Sequence, residues 1–477
     1  MSFEVAIVGS GPAGFYAAEA LLQSALPIRI DMFERLPVPF GLVRYGVAPD
    51  HQKLKAVTSV FESIAQTDRF TFFGNVKVGV DITIEDMLAA YDGVIVATGA
   101  ITARPLGISG ENMKGSVSAS QFVGWYNGHP DFRALSIDLS HDTAIVVGNG
   151  NVALDVCRIL SKSPDELMRS DICAHALDVL SASKISEIHL VGRRGPAQAK
   201  FAAKELREFS DLAACDSIFD PADLQIDFSV APVGGSEVGA KAKNLEILKT
   251  FERAGTQLNK AKRLHFRFGL TPRKIQGVDR VESVVFARTG SDEAAFDAVE
   301  TTEDLVTIPA GILIGSVGYR AAPLPGVPFD SSKGTIPHKG GRVVDSKGIV
   351  QTGLYVAGWV KRGPSGVIGT NRACGVETSL AVIADLKALG SLGHRGKTAT
   401  RRDICASLAG RGLVVHFDGW KRIDALERSA GQALGKPREK FTTIHELLDA
   451  SLVPAEATSH RSRDFEQFHG ASMMKLE

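Results

Sequence analysis

The chain begins with an apolar run, SFEVAIV (2–8), which reads as a short buried strand and gives way at once to glycines. The stretch AGFYAAEALLQ (13–23) then has the spacing of a helix, and PIRIDMF (27–33) reads as a second strand. The same order returns later. TAIVV (143–147) is a strand, ALDVCRIL (153–160) is helical, and the next strand, EIHLVG (187–192), is delayed by an insertion over 163–184. Two further apolar runs, GVIVATG (93–99) and GLYVAGW (353–359), end in small-residue turns. Such turns let backbone pass close to a ligand or cross between domains, although an ordinary turn fits them equally. QKLKAVTSVFESIAQ (52–66) predicts one continuous helix. Strands alternating with helices imply an α/β protein with parallel sheets. The doubled pattern implies two Rossmann-like dinucleotide-binding domains.

The glycines between strand and helix carry chemistry. In the first unit Gly9 makes the turn, Gly11 lets backbone approach a pyrophosphate, and Gly14 permits close helix–strand packing, with Pro12 and Ala13 between them. The helix that follows offers free N–H groups to phosphate. Glu34, at the end of the second strand, is placed to accept from ribose hydroxyls and would repel a 2′-phosphate, so this unit predicts FAD or NAD. The second unit reads Gly148, Asn149, Gly150, Asn151, Val152, Ala153, with alanine in the third place. Its next strand ends in Arg193 and Arg194 where an acid would otherwise stand. Two guanidiniums suit the 2′-phosphate of NADP(H); a solvated basic turn is the plainer reading. Asn149 reads either as a pyrophosphate contact or as a turn residue that tolerates positive φ.

Composition narrows the field. The 477 residues are 44% hydrophobic and 23% charged, which excludes a disordered or fibrous chain. Glycine is in excess at 48 residues, as close backbone approaches require. Lys+Arg and Asp+Glu are both 54, so no whole-surface attraction to nucleic acid or membrane is expected. The five cysteines form no CxxC, which argues against a disulfide scaffold, a dithiol relay or an internally ligated iron–sulfur cluster. No targeting segment or membrane-length apolar run is read, and a cytoplasmic location is the expectation.

Longer motifs carry a resemblance to a known family. FGLVRYGVAPDHQKLK (40–55), GNGNVALDVCRIL (148–160), VGRRGPAQAKFAAKELRE (191–208), GYR (318–320), GWVKRGPSGVIGTN (358–371) and GKPREK (435–440) resemble the adrenodoxin-reductase type of ferredoxin–NADP reductase over nearly the whole chain. NRACGVETS (371–379) departs from the mitochondrial version in the manner of a bacterial member. The resemblance implies an FAD domain built from 1–103 and 320–477, with the segment from about 391 completing it, and an NADPH domain over 104–319. The end, SHRSRDFEQFHGASMMKLE, is polar and expected to be loosely ordered. It also implies that Leu42, Gly358, Trp359, Gly366, Val367 and Ile368 lie at the flavin, with backbone of Gly366 and Val367 on its N1/O2 side. A core Trp and a loop glycine are the bland alternatives. His51 and Glu205 are implied beside the nicotinamide carboxamide, as positioning and proton-supplying groups rather than hydride donors. Asp50 or His51 also fits a helix cap, and Glu208, one turn from Glu205, is easily confused with it.

Between 241 and 274 ten Lys/Arg face two acids, a net +8. A solvated helical face is the usual meaning of such a run. The alternative is a docking surface for an acidic ferredoxin, with Lys243 and Lys249 as the family's docking cations and flavodoxin as a second acceptor left open. No nucleic-acid module accompanies it. Among rivals, the electron-input flavoprotein of a larger complex, resembling the glutamate synthase small subunit, lacks support because its cysteine-rich cluster motifs are missing here. A dithiol reductase lacks its CxxC. A non-catalytic FAD/NADP sensor is disfavoured by His51, Glu205 and the paired arginines.

Overall fold

The computed structural model describes residues 2–220, 235–254, 258–288, 304–392 and 397–454. The polar end of the chain lies outside them.

Two sheets organise the molecule. The first runs His338–Lys339, Arg342–Val344, Val350–Val356, Gly93–Val96, Phe3–Val8, Ile28–Glu34, Phe70–Gly74. Its last five strands are parallel, and the first two are added antiparallel at the edge. The second runs Ser116–Ser118, Ile312–Gly315, Thr143–Val147, Glu187–Val191, Lys262–Arg267, Cys215–Phe219, and is parallel throughout. The first sheet therefore draws on both ends of the chain and the second on its middle. A short antiparallel ribbon, Thr102–Ala103 against Tyr319–Arg320, joins them. A separate three-stranded antiparallel sheet, Leu270–Gln276, Ser283–Arg288 and Leu305–Pro309, packs on one face of the second.

The central strands are apolar on both faces because helices cover both faces of a parallel sheet. Val5, Ile7, Val94 and Ile95 are fully buried, as are Ala144, Ile145 and Val146. The helix Pro12–Leu22 fits its Rossmann position through proline in its first turn, where no N–H is needed. Helices beyond residue 400 complete the first core: Phe417, Trp420, Ile423 and Leu447 join it, and Trp420 stands edge-on to Phe40 at 5.5 Å.

Two expectations need correction. The 52–66 helix is broken into Gln52–Lys55 and Thr58–Ala65. Its first turn is held by Lys55 to Asp171 in the middle of the chain, whereas its second buries Phe61 and Ile64 in the first core. The +8 run also fails to form one face. Lys243 and Lys249 are exposed on the helix Gly235–Ala254, and Lys249 pairs with Glu246 at 3.0 Å. Lys260 and Lys262 instead donate to the carbonyls of Leu212 and Leu160, Arg263 pairs with Glu187, and Arg273 and Lys274 stand on the antiparallel sheet. Charge adjacent in sequence is divided by the fold.

Candidate functional site

The two glycine loops are built alike. Gly9 takes φ +105°, and a Cβ there would lie 2.5 Å from Ala97 O. Gly148 takes φ +143°, and a Cβ there would lie 2.2 Å from Ser316 O. In each case the first glycine is pressed on the end of the neighbouring parallel strand. Gly9 N donates to Phe33 O and Gly148 N to Val191 O, both at 2.8 Å, so each loop is tied to the strand that ends in its charged residue. A Cβ on Gly14 would stand 2.3 Å from Gly9 O. Gly11 and Gly150 differ: a Cβ on either would meet nothing within 4 Å. These middle positions, each at a helix N-terminus, are open where a pyrophosphate would lie.

The strand ends carry opposite charge. Glu34 accepts from Ser10 N at 3.2 Å, Ser10 Oγ at 2.7 Å and Leu36 N at 3.1 Å, which fixes its carboxylate over the first loop. Arg193 and Arg194 are exposed and make no ion pair among the described residues. Asn149 does not have positive φ; Phe40 and Asn75 are the non-glycine residues that do, among the described residues. The turn reading of Asn149 is thereby corrected. Its amide lies over Gly192, where a Cβ would fall 1.7 Å from Asn149 Nδ2. Asn151 Oδ1 accepts from Ala202 N at 2.8 Å, and Val152 packs on the second core.

Around the first loop, Leu42 opens the helical turn Leu42–Tyr45, and a Cβ on Gly41 would come within 3.2 Å of Gly11 Cα. Gly358, at φ +79°, abuts Ala13. Trp359 is half-buried, stacks on Tyr319 at 6.3 Å and donates from Nε1 to Ser365 O at 3.0 Å. Gly366 takes φ +82°. The N–H groups of Gly366, Val367 and Ile368 donate to nothing among the described residues and precede the long helix Thr370–Leu392. Ile368 packs on the core, whereas the Val367 side chain is exposed. Unpaired N–H groups before a helix suit a ligand that gathers negative charge.

His51 stands at the N-cap position just before Gln52–Lys55, and its side chain makes no capping bond among the described residues. Asp50 is no cap either: its carboxylate takes Arg158 Nε at 2.7 Å and Lys162 Nζ at 2.8 Å. His51 reaches across to the helical segment 203–210. Its Nε2 is 2.9 Å from Glu208 Oε2 and 3.6 Å from Glu205 Oε2, and its Nδ1 is 3.9 Å from Asp155 Oδ1. Burial works against the imidazolium, but the Glu208 hydrogen bond with Asp155 and Asp50 outweighs both burial and the Arg158 charge. The His51 pKa therefore stands above its ordinary value. Burial raises the Asp155 pKa despite Arg158, while for Glu208 the bond to His51 and the Arg158 charge prevail over burial and lower it. Among the described residues Glu205 Oε2 is buried without a hydrogen-bond partner, an acceptor open to a donor such as an amide.

The sequence reading thus brings His51 and Glu205 together, and the structure adds Glu208, Asp155, Arg158 and Tyr319. A signal for two of these was present. In NVALDVCRILS, Asn151, Asp155 and Arg158 fall at i, i+4 and i+7, one polar stripe on an otherwise apolar helix.

Residues 3–206 match the pyridine nucleotide-disulphide oxidoreductase family. The chain is 43% identical over 461 residues to the NADPH-ferredoxin reductase FprA of Mycobacterium tuberculosis, covering 94% of this chain and 99% of that protein. The chain belongs to the adrenodoxin-reductase-type family of ferredoxin–NADP reductases. A mouse member, the mitochondrial NADPH:adrenodoxin oxidoreductase, is 42% identical over 459 residues, covering 93% and 91% of the two chains. The solved structure of M. tuberculosis FprA in complex with NADPH superposes with a TM-score of 0.87 at 42% identity, covering 95% of this chain and all of that one. All five cysteines of this family member are free, and no helix among the described residues is long and apolar enough to cross a membrane.

Proposed function

We propose that this chain is an FAD-dependent ferredoxin–NADP reductase that carries electrons from NADPH to an acidic, ferredoxin-type iron–sulfur protein. The observation that carries the reading is the doubled cradle. Two glycine loops of the same build, each with an open middle position, differ in the charge at the end of the next strand. Glu34 suits the unphosphorylated ribose of FAD, and the exposed Arg193 and Arg194 suit the 2′-phosphate of NADPH. FAD fits the portion 1–103 plus 320–477, and NADPH fits 104–319.

Bound FAD supplies the link between a two-electron carrier and a one-electron carrier. The protein's part is placement and charge. The N–H groups of Gly366, Val367 and Ile368 would meet the negative charge that a bound flavin gathers on its N1/O2 side, and Trp359 would cover the nicotinamide place. Glu205, with its open acceptor, would take the carboxamide N–H, and His51, bonded to Glu208, would hold a proton beside it. Without a CxxC or a cysteine-rich cluster motif in the chain, a separate protein takes the electrons. Docking through Lys243 and Lys249, use of flavodoxin and a cytoplasmic setting belong to the same proposal.

The test is direct. Purified protein is yellow; its visible flavin band bleaches anaerobically with NADPH and far less with NADH, and a ferredoxin restores it. Colourless protein, or bleaching indifferent to the coenzyme's 2′-phosphate, refutes the assignment. In the same assay His51→Gln slows bleaching by NADPH roughly a hundredfold or more, the lower range for a positioned acid–base group. An unchanged stopped-flow rate removes His51 from the step.

A further inference from the structure

We propose that Arg158 is a positioning residue for reduction by NADPH: it shares one carboxylate oxygen of Glu208 with His51, and so sets how firmly that oxygen holds the imidazole proton. The inference rests on the reading that His51 faces the nicotinamide.

Glu208 Oε2 lies 2.9 Å from His51 Nε2 and 3.3 Å from Arg158 Nη1. Arg158 is not free to swing away. Its side chain is 1% exposed, its Nε and Nη2 grip Asp50 at 2.7 and 3.0 Å, and Nη2 also lies 2.8 Å from Asp155. Among the described residues Nη1 is the nitrogen left without a hydrogen bond of its own, and Glu208 is the group it faces.

The charges around His51 come from three directions. Asp50 precedes it in the chain, and Lys162 is bound to that carboxylate. Asp155 and Arg158 come from the helix Asn151–Ser161, with Tyr126 beyond them. Glu205 and Glu208 come from the segment opposite. Four carboxylates thus surround one imidazole, and Arg158 is the cation that reaches three of them. Withdrawing Arg158 leaves Glu208 pulling on His51 alone, and the imidazolium persists to higher pH. The helix that carries Arg158 begins directly after Gly150, so the same element meets the NADPH loop and the proton-holding pair.

A plain strut for Asp50 would behave differently. Removing a strut lowers stability, and a lysine that restores the charge on Asp50 restores the His51 titration with it. The decisive measurement follows the ring resonances of His51 against pH in holoenzyme with isotope-labelled histidine, with His51→Gln identifying the signal. Wild type is compared with Arg158→Gln and Arg158→Lys. Lysine keeps a charge on Asp50 but has no second nitrogen for Glu208, so it serves if the glutamine variant does not fold. The midpoint is expected to rise in both, further in the glutamine variant, and the pH profile of stopped-flow flavin reduction to rise with it. An unmoved midpoint overturns the proposal. A midpoint that moves while the rate profile stays put upholds the sharing of Glu208 but overturns a part for Arg158 in reduction, and refutes the placement of His51 at the nicotinamide.

Discussion

Glycines in one motif are not interchangeable, because different neighbours exclude a side chain from each. Gly14 is closed by its own fold: a Cβ 2.3 Å from a backbone oxygen forces the helix off the strand. Gly11 and Gly150 have φ of −76° and −117°, which any residue adopts, and open space beside them. Only a bound cofactor excludes a methyl group there. Gly150→Ala should therefore keep the wild-type melting temperature while raising the KM for NADPH roughly tenfold, about 1.4 kcal/mol. Gly14→Ala should lower the melting temperature and the FAD content together, as overpacking by about 1–3 kcal/mol implies. Thermal melts beside steady-state kinetics separate the two. A Gly150→Ala protein with unchanged KM means that NADPH does not lie over that loop.

The strand–loop–helix unit sets what each cradle accepts. The turn after Glu187–Val191 presents Arg193 and Arg194 with no acid to hold them among the described residues. Replacing both with alanine should raise the KM for NADPH by roughly ten- to a hundredfold, since a hydrogen bond to a charged group contributes about 1.5–3 kcal/mol. The KM for NADH should stay within about twofold. Parallel losses for the two coenzymes would place the 2′-phosphate elsewhere. These elements were legible in the sequence because period and glycine spacing are local properties. Strand ends fell within a few residues, and TAIVV matches Thr143–Val147. What stayed hidden depends on tertiary placement. The interruption of 52–66 at Ala56 and Val57 coincides with a lysine held by a distant aspartate, which no local pattern contains. The choice between Glu205 and Glu208 is likewise spatial: both sit on the correct helical face, and only the fold shows that His51 bonds to Glu208 and stands off Glu205 by 3.6 Å. The distribution of the basic run is hidden for the same reason, since a linear count cannot see that Lys260 and Lys262 donate to carbonyls.

At the scale of the molecule, ion pairs tie the two sheets' territories together. The segment 50–55 reaches the middle of the chain through Asp50–Arg158, His51–Glu208 and Lys55–Asp171. The Asp171 carboxylate is 3% exposed, takes Lys55 at 2.6 and 2.8 Å, and has Lys440 of GKPREK at 3.4 Å. Burial pushes the Lys55 pKa down to about 8 even with Asp171 beside it. Asp171→Asn leaves two buried ammonium groups without their carboxylate, a loss of about 3–5 kcal/mol. Asp131→Asn removes only the Arg35 partner on the surface, where the two side chains are 33% and 45% exposed, and should lose less than about 1 kcal/mol. The sign of the pH dependence follows from Lys55. Because its folded pKa lies below the ordinary lysine value, the unfolded chain binds more protons between the two, and this term favours folding as pH rises above about 8. With Asp171 gone the folded pKa falls further and the window widens. The stability deficit of Asp171→Asn relative to wild type should thus be largest near neutrality and shrink as pH climbs towards the ordinary lysine range. Denaturant melts at several pH values measure it. A deficit that is small, or that grows with pH, would mean that the charges at Asp171 do not hold the first turn of the His51 helix against the middle of the chain.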